Sequence, residues 1–174
     1  MVTRLRGLKK PIYLISPNKI YPNFYSDLDK VLSSKKVSFF QLRLKNLADN
    51  EIIKIGNKIK LITKKHKVFF LINDSYKIAK KIKADRVELF TGPYAKQYIN
   101  DKSNAINRYI NCSEIADKIG MELNAGHDLN QQNLEFFKNN IVNLKEVSIG
   151  HALISESLYF GLESTIKSYL KILN

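Results

Sequence analysis

Two of the chain's three histidines directly follow a glycine, in Gly126-His127 and Gly150-His151. Glycine lets the backbone approach an anion closely. An imidazole beside that anion can transfer protons near neutral pH. These residue types in this pairing suit a phosphate site with a general acid. A second set, Gln41, Arg43 and Lys45, occupies alternate positions, which a strand would turn to one side. Arg offers a planar fork to anionic oxygens, Lys a point charge and Gln a neutral donor. Asn73-Asp74 could hold phosphate and a hard cation such as Mg²⁺. Glu88 adds a carboxylate, and Thr91-Gly92-Pro93 reads as a turn. Other reactive types read as structural. His66 stands between lysines in a loop, Cys112 is a buried thiol within a helix, and Asp27 and Asp29 favour a helix dipole. Tyr94 either covers a ligand or packs as a core aromatic.

These residues gain meaning from the elements that must carry them. Short β-rich runs, Ile12–Ser16, Val37–Leu42, Val68–Ile72, Arg86–Phe90, Met121–Asn124 and Glu146–Ile149, read as six strands. Longer helical patterns follow each: Phe24–Leu32, Asp49–Lys65, Tyr76–Lys83, Ser103–Ile119, Asn130–Asn140, and Ser155–Leu173 broken near Gly161. Asp49 and Ser103 are the expected N-caps of their helices. Gly56 is a weak point inside its helix. Regular βα alternation predicts parallel pairing and an α/β fold, an incomplete barrel of about six parallel strands in a single domain over 1–174. In such folds ligands bind at the C-terminal strand ends, where each of the polar sets above falls. The chain's 174 residues are fewer than the ~200 at the lower end of complete eight-stranded barrels. Six units would therefore close as an unusually small barrel or leave a sheet edge that favours homo-oligomers.

Composition excludes several classes. At 44% hydrophobic residues the chain can build a core. One cysteine cannot make an internal disulfide and suits a reducing compartment. The longest purely apolar run, Val68–Ile72, is too short to span a bilayer, and Ile12–Ile15 behind the basic N-terminus is too short for a secretory core. The expectation is a cytoplasmic protein without a membrane partner. The net charge of +13 is lopsided: residues 1–85 hold 20 Lys/Arg against 6 Asp/Glu, and residues 86–174 hold 9 against 10. Ile52, Ile55, Ile59 and Ile62 give the Asp49–Lys65 helix an apolar face, and its lysines fall mostly off that face. This reads as a solvated surface. Without interleaved aromatics it does not read as a nucleic-acid interface.

The two halves resemble different families. Residues 86–174 resemble the C-terminal part of pyridoxine 5'-phosphate synthase through Arg86–Ala95, Glu122–Asn130 and Glu146–Ile154, in family order. Residues 11–85 resemble the N-terminal part of thiamine phosphate synthase through Tyr13–Pro17, Gln41–Lys45 and Leu71–Asp74. The first resemblance implies that His127 donates a proton, that Asp128, Gly150 and His151 bind a phosphorylated amino ketone, and that Glu88 lines the pocket in a catalytic role. No cofactor is implied there. The second implies that Gln41, Arg43, Lys45 and Asn73 hold a pyrimidine diphosphate and that Asp74 binds Mg²⁺. In both cases the partners are small phosphorylated substrates.

Each implied site lacks parts of its family's pattern. Residues 1–85 contain no Asn-x-Asp-His or His-x-Arg segment and no catalytic Glu of the pyridoxine type. After Ala84-Asp85 the chain reads Arg86-Val-Glu-Leu-Phe, not the thiamine-type Gly-x-His-Leu-Gly-Gln. The expected function is pyridoxine 5'-phosphate synthesis, in intact or impaired form. The alternatives are Mg²⁺-dependent thiamine phosphate synthesis and an inactive phosphate-binding fusion relic.

Overall fold

The computed structural model describes residues 12–174, so the basic N-terminal stretch lies outside the described residues. Six strands alternate with helices in an α/β fold of the incomplete barrel type, and β1–β2, β2–β3, β3–β4 and β5–β6 pair in parallel. The described residues group into two compact units, divided between Glu88 and Leu89.

The first unit contains β1 (Ile12–Ile15), α1 (Phe24–Ser33), β2 (Val37–Leu42), α2 (Asp49–His66), β3 (Phe69–Asn73), α3 (Tyr76–Ile82) and the start of β4 (Arg86–Phe90). Its register pairs Phe39 with Tyr13 and Phe69, and Asn73 with Glu88. Alternation gives the strands two unlike faces. Phe40, Leu42, Phe70 and Ile72 are buried, with Phe40 meeting Phe24 of α1. On the other face Tyr13, Phe39 and Phe69 stack in a row at 5.7 and 5.4 Å. The guanidinium of Arg86 lies 5.4 and 5.0 Å from the Phe39 and Phe69 rings. That contact lets a buried cation share the aromatic layer. One step towards the strand ends the same face becomes polar, with Gln41, Asn73 and Glu88.

Helix α2 packs differently from its isoleucine pattern. Its buried positions are Gly56, Ile59 and Thr63. A Cβ on Gly56 would stand 2.9 Å from Ile82 Cδ1 and 3.6 Å from Leu42 Cδ2. Gly56 is thus a point of close approach, and the expected weak point buys contact with α3. The N-cap position is Ala48, not Asp49; Glu51 reaches back to accept the Ala48 N–H at 3.3 Å, which completes half of a capping box. His66 ends α2 and meets Asp29 at 2.7 Å, while Lys65 Nζ donates to both Asp29 oxygens at 2.9 Å. Asp29 therefore ties α1 to α2 and is not simply a dipole partner. The hydrogen bonds from Lys65, and then from His66, hold its carboxyl below the usual range.

The second unit contains the end of β4, α4 (Gly92–Tyr98), α5 (Lys102–Lys118), β5 (Glu122–Gly126), α6 (Leu134–Asn140), β6 (Leu144–Ser148), α7 (His151–Phe160) and α8 (Leu162–Leu173). Its centre is aromatic. Tyr94 sits 5.0 to 5.9 Å from Tyr98, Tyr109 and Phe137, and its hydroxyl donates to Asn133 O at 2.6 Å. Tyr94 is fully buried, and that burial pushes its phenol above the ordinary range. Of the two readings of Tyr94, the packed core aromatic is the observed one.

Several boundaries differ from the sequence reading. The Thr91-Gly92-Pro93 turn opens a helix, with Pro93 in its first turn, where a missing N–H costs nothing. Asp101 caps α5 by accepting the Asn104 N–H at 3.0 Å, so Ser103 is already helical. Asn130 does not start α6. Its side chain accepts the Gln132 and Asn133 N–H groups in a turn, which delays the helix to Leu134. The last helical stretch begins at His151 and breaks at Gly161, where φ is +79°. Cys112 is partly exposed, contrary to the expected buried thiol.

Candidate functional site

In the first unit the strand ends gather a hydrogen-bonded polar cluster. Tyr13 OH lies 3.0 Å from Glu88 Oε2 and 3.3 Å from Gln41 Oε1. Gln41 Nε2 donates to Asn73 Oδ1 at 2.7 Å, and Asn73 Nδ2 donates to Asp74 Oδ2 at 2.5 Å. Parallel pairing at neighbouring positions builds this chain, since Gln41, Asn73 and Glu88 project from one face of β2, β3 and β4. Gln41 and Glu88 are buried, so their polar groups need these partners. Asp74 has φ +60° and donates its N–H to Glu88 O at 2.9 Å, which turns the chain out of β3.

The alternation expected through Gln41, Arg43 and Lys45 stops early. Strand β2 ends at Leu42, where the Arg43 N–H donates to Ser16 Oγ at 2.9 Å. Arg43 is half-buried and Lys45 exposed, in the connection that leads through Asn46 at φ +61°. Gln41, Asn73 and Asp74 are therefore joined by hydrogen bonds, while Arg43 and Lys45 are placed by the connection beyond the strand. Among the described residues no group of three or more His, Cys, Asp or Glu is arranged to hold a metal ion. The Asp74 site offers one carboxylate, already engaged with Asn73.

In the second unit the cluster forms where β4 and β5 end. The Thr91 N–H donates to Gly126 O at 2.8 Å. Thr91 Oγ1 lies 2.7 Å from Gly126 O and 2.5 Å from His127 O. This buried threonine holds the backbone in a rare conformation, with φ +88° at His127 and +60° at Asp128. Non-glycine residues adopt such angles only where their surroundings impose them. The His127 ring then packs edge-on to Phe90 at 4.5 Å, and its Nδ1 meets Asp128 Oδ2 at 3.0 Å. Half of the His127 side chain remains exposed. A carboxylate on Nδ1 fixes the tautomer and leaves Nε2 for chemistry.

Gly92 has a steric reason. A Cβ there would lie 2.9 Å from Phe90 Cζ and 3.3 Å from His127 Nδ1. Beside this cluster, buried Asn124 of β5 donates to Glu146 Oε2 of β6 at 2.8 Å. Gly150 stands at the N-cap of α7 with nothing within 4 Å of a Cβ position, and His151, exposed, is the helix's first residue. The space over Gly150 and the helix N–H groups suit a phosphate.

The sequence reading assigned no role to Tyr13, Phe90, Asn124 or Glu146, and noted Thr91 only as part of a turn. For Thr91 the available signal was a hydroxyl residue at a strand end directly before glycine. Glu88 falls in the first unit's cluster and His127 in the second's.

These features define a βα-repeat protein with hydrogen-bonded polar clusters and a carboxylate-held histidine at its strand ends. The model of the family "Pyridoxal phosphate biosynthesis protein PdxJ" matches residues 51–174, and the chain belongs to this family. The match begins in α2, well before Asp85. A pyridoxine 5'-phosphate synthase from Christiangramia forsetii is 52% identical over 90 residues, covering 52% of this chain and 38% of the relative. The corresponding protein of Flavobacterium johnsoniae is 52% identical over 93 residues, covering 53% and 39%. The chain thus matches about two fifths of the length of these curated relatives. A solved thiamine phosphate pyrophosphorylase from Pyrococcus furiosus is similar at 17% identity and a TM-score of 0.42, over 95% of this chain and 97% of that one. No helix among the described residues is long and apolar enough to cross a membrane.

Proposed function

We propose that the chain carries the proton-donating and phosphate-seating part of a pyridoxine 5'-phosphate synthase site. The reaction it serves condenses 1-deoxyxylulose 5-phosphate with 3-amino-2-oxopropyl phosphate. That conversion needs imine formation, proton shuffling, loss of water and phosphate, and ring closure. The observation that carries this reading is His127, its ring between Phe90 and Asp128 and its backbone carbonyl within hydrogen-bond reach of the Thr91 hydroxyl. In this role His127 donates a proton from Nε2, Asp128 orients the ring and contacts the amino ketone, and Gly150 with His151 seats the phosphate. Glu88, buried against Tyr13, supplies a polar wall in the first unit's cluster.

Purified protein supplied with both substrates tests this directly. The expected result is pyridoxine 5'-phosphate and inorganic phosphate formed slowly, because residues 1–85 lack the family's other acid–base segments. His127→Gln should abolish that turnover, and His151→Ala should weaken amino-ketone phosphate binding. Unchanged rates in the His127 variant would overturn the assignment. So would Mg²⁺-dependent release of diphosphate from a pyrimidine diphosphate, the thiamine-type reaction that the Gln41–Asn73–Asp74 hydrogen bonds would otherwise serve. There Asp74 would hold Mg²⁺ jointly with the diphosphate.

A further inference from the structure

The strand-end clusters leave one charged cavity unused. It lies in the first unit at the opposite, N-terminal end of β3, where the last turns of α2 and the end of α3 surround a depression of about 410 Å³. Lys60, Lys64, Lys67 and Lys83 line it, together with Phe69 and, as the one carboxylate of the lining, Asp85. The volume falls in the range of small-molecule sites.

The ordinary role of lysines here would be to satisfy helix C-terminal carbonyls. That role is already filled. Lys60 Nζ donates to Ile82 O at 2.8 Å and Lys83 O at 2.6 Å. The Lys64 and Thr63 carbonyls accept the Lys67 and Val68 N–H groups, and the Lys80 and Ala79 carbonyls accept those of Lys83 and Ala84. Asp85 is also engaged, its Oδ2 accepting the Phe70 N–H at 2.7 Å. The ammonium groups of Lys64, Lys67 and Lys83 have no hydrogen-bond or ion-pair partner among the described residues. Lys67 and Lys83 are moreover held at φ +57° and +51°, where glycine is the usual residue. Burial lowers the Lys60 pKa, Asp85 opposes that shift, and neighbouring Lys83 and Lys64 add to it.

We propose that this cavity binds a small anion bearing at least two phosphate groups, at a site separate from the strand-end clusters. Three uncommitted ammonium groups exceed what a single phosphate, with a charge of about −2, neutralises. Lysines act as point charges without a fixed fork, so the site selects by charge number more than by shape.

Inorganic diphosphate is the probe. Lysine-directed chemical labelling of the whole chain, read residue by residue in a mass spectrometer, reports where it binds. Diphosphate should protect Lys64, Lys67 and Lys83 but not Lys54 or Lys77, and monophosphate or chloride at matched ionic strength should protect far less. The double variant K64A/K67A should bind diphosphate roughly tenfold more weakly, whereas K54A/K77A should bind it unchanged. Uniform protection of all lysines would reduce the effect to general charge screening and overturn the proposal. Protection confined to Lys45 would place diphosphate at the strand ends and overturn it equally. The labelling pattern of the unaltered protein decides between these outcomes even if a variant fails to fold.

Discussion

Replacing Thr91 with valine removes one oxygen from the centre of the second unit's site and almost nothing else. The side-chain volume stays nearly constant, so no cavity term enters. The hydroxyl carries a single proton, so it serves Gly126 O or His127 O at any moment, not both. Gly126 O keeps the Thr91 N–H after the change. His127 O has no other donor among the described residues and loses this one. An acceptor left without its partner costs about 1–3 kcal/mol when fully buried. His127 is exposed, so water reaches part of that carbonyl and the expectation falls at the low end, about 1–2 kcal/mol. The assay is urea denaturation followed by near-ultraviolet circular dichroism, which reads the aromatic packing around Phe90 and Tyr94. Thr91→Ser supplies the control, because it keeps the hydroxyl and loses only a methyl group. Serine should retain the oxygen's share of the stability and the His127 chemistry; valine should lose both. If valine matches the unaltered protein within experimental error while serine is damaged, the threonine acts through packing, and the hydrogen-bond account of the His127 conformation is wrong.

Other expectations follow from single contacts. Gly92→Ala places a methyl 2.9 Å from the Phe90 ring, so it should cost about 1–3 kcal/mol in thermal unfolding and abolish any turnover that depends on His127. Gly56→Ala improves helix propensity but presses on Ile82 Cδ1 at 2.9 Å. A double-mutant cycle with Ile82→Val, which deletes that methyl, should show a favourable coupling of about 0.5 kcal/mol or more, and simple additivity would refute the close-approach argument. Asp29 has its carboxyl pKa depressed by Lys65 and His66. Its contribution is therefore complete above the unfolded carboxylate pKa and disappears as pH falls through the lower folded value. Denaturation midpoints from pH 5 to pH 2 should fall more steeply for the unaltered protein than for Asp29→Asn. Tyr94→Phe removes the 2.6 Å donor to Asn133 O, which keeps the Phe137 N–H at 3.1 Å, so stability should fall by about 0.5–1.5 kcal/mol, read by the same denaturation.

The strands and most helices were legible because they rest on local pattern. Val37–Leu42 and Arg86–Phe90 coincide with observed strands because their apolar runs are bounded by clear breakers. The caps were less legible, because each depends on a competition that spacing does not decide. Ser103 and Asp101 both offer an oxygen, and the carboxylate two residues earlier wins the Asn104 N–H. Asn130 has cap-like chemistry but spends it on a turn of its own. The isoleucine stripe of α2 identified a helix but not its most buried line, since Gly56 permits an approach that hydrophobic counting scores as a defect. The match of the family model from residue 51 likewise could not be read from the short motifs, which mark strand ends and say nothing of the helix between them.

The site divides along the same line. Gln41, Asn73 and Glu88 share one face because parallel register puts them there, a cross-strand grouping that alternation within single strands did not reveal. Arg43 and Lys45 escape that rule as soon as β2 ends at Leu42. His127 was legible as a chemical type beside glycine, yet its geometry is made by neighbours that carry no reactive signature. Thr91 fixes the carbonyls, Phe90 limits the ring, and Gly92 leaves the room that both require. A histidine in that backbone conformation without those three residues would pay the strain and lose the orientation. The informative unit in this part of the chain is therefore Phe90-Thr91-Gly92 taken with Gly126-His127-Asp128. Thr91→Val and Gly92→Ala should disable His127 as surely as replacing the histidine itself.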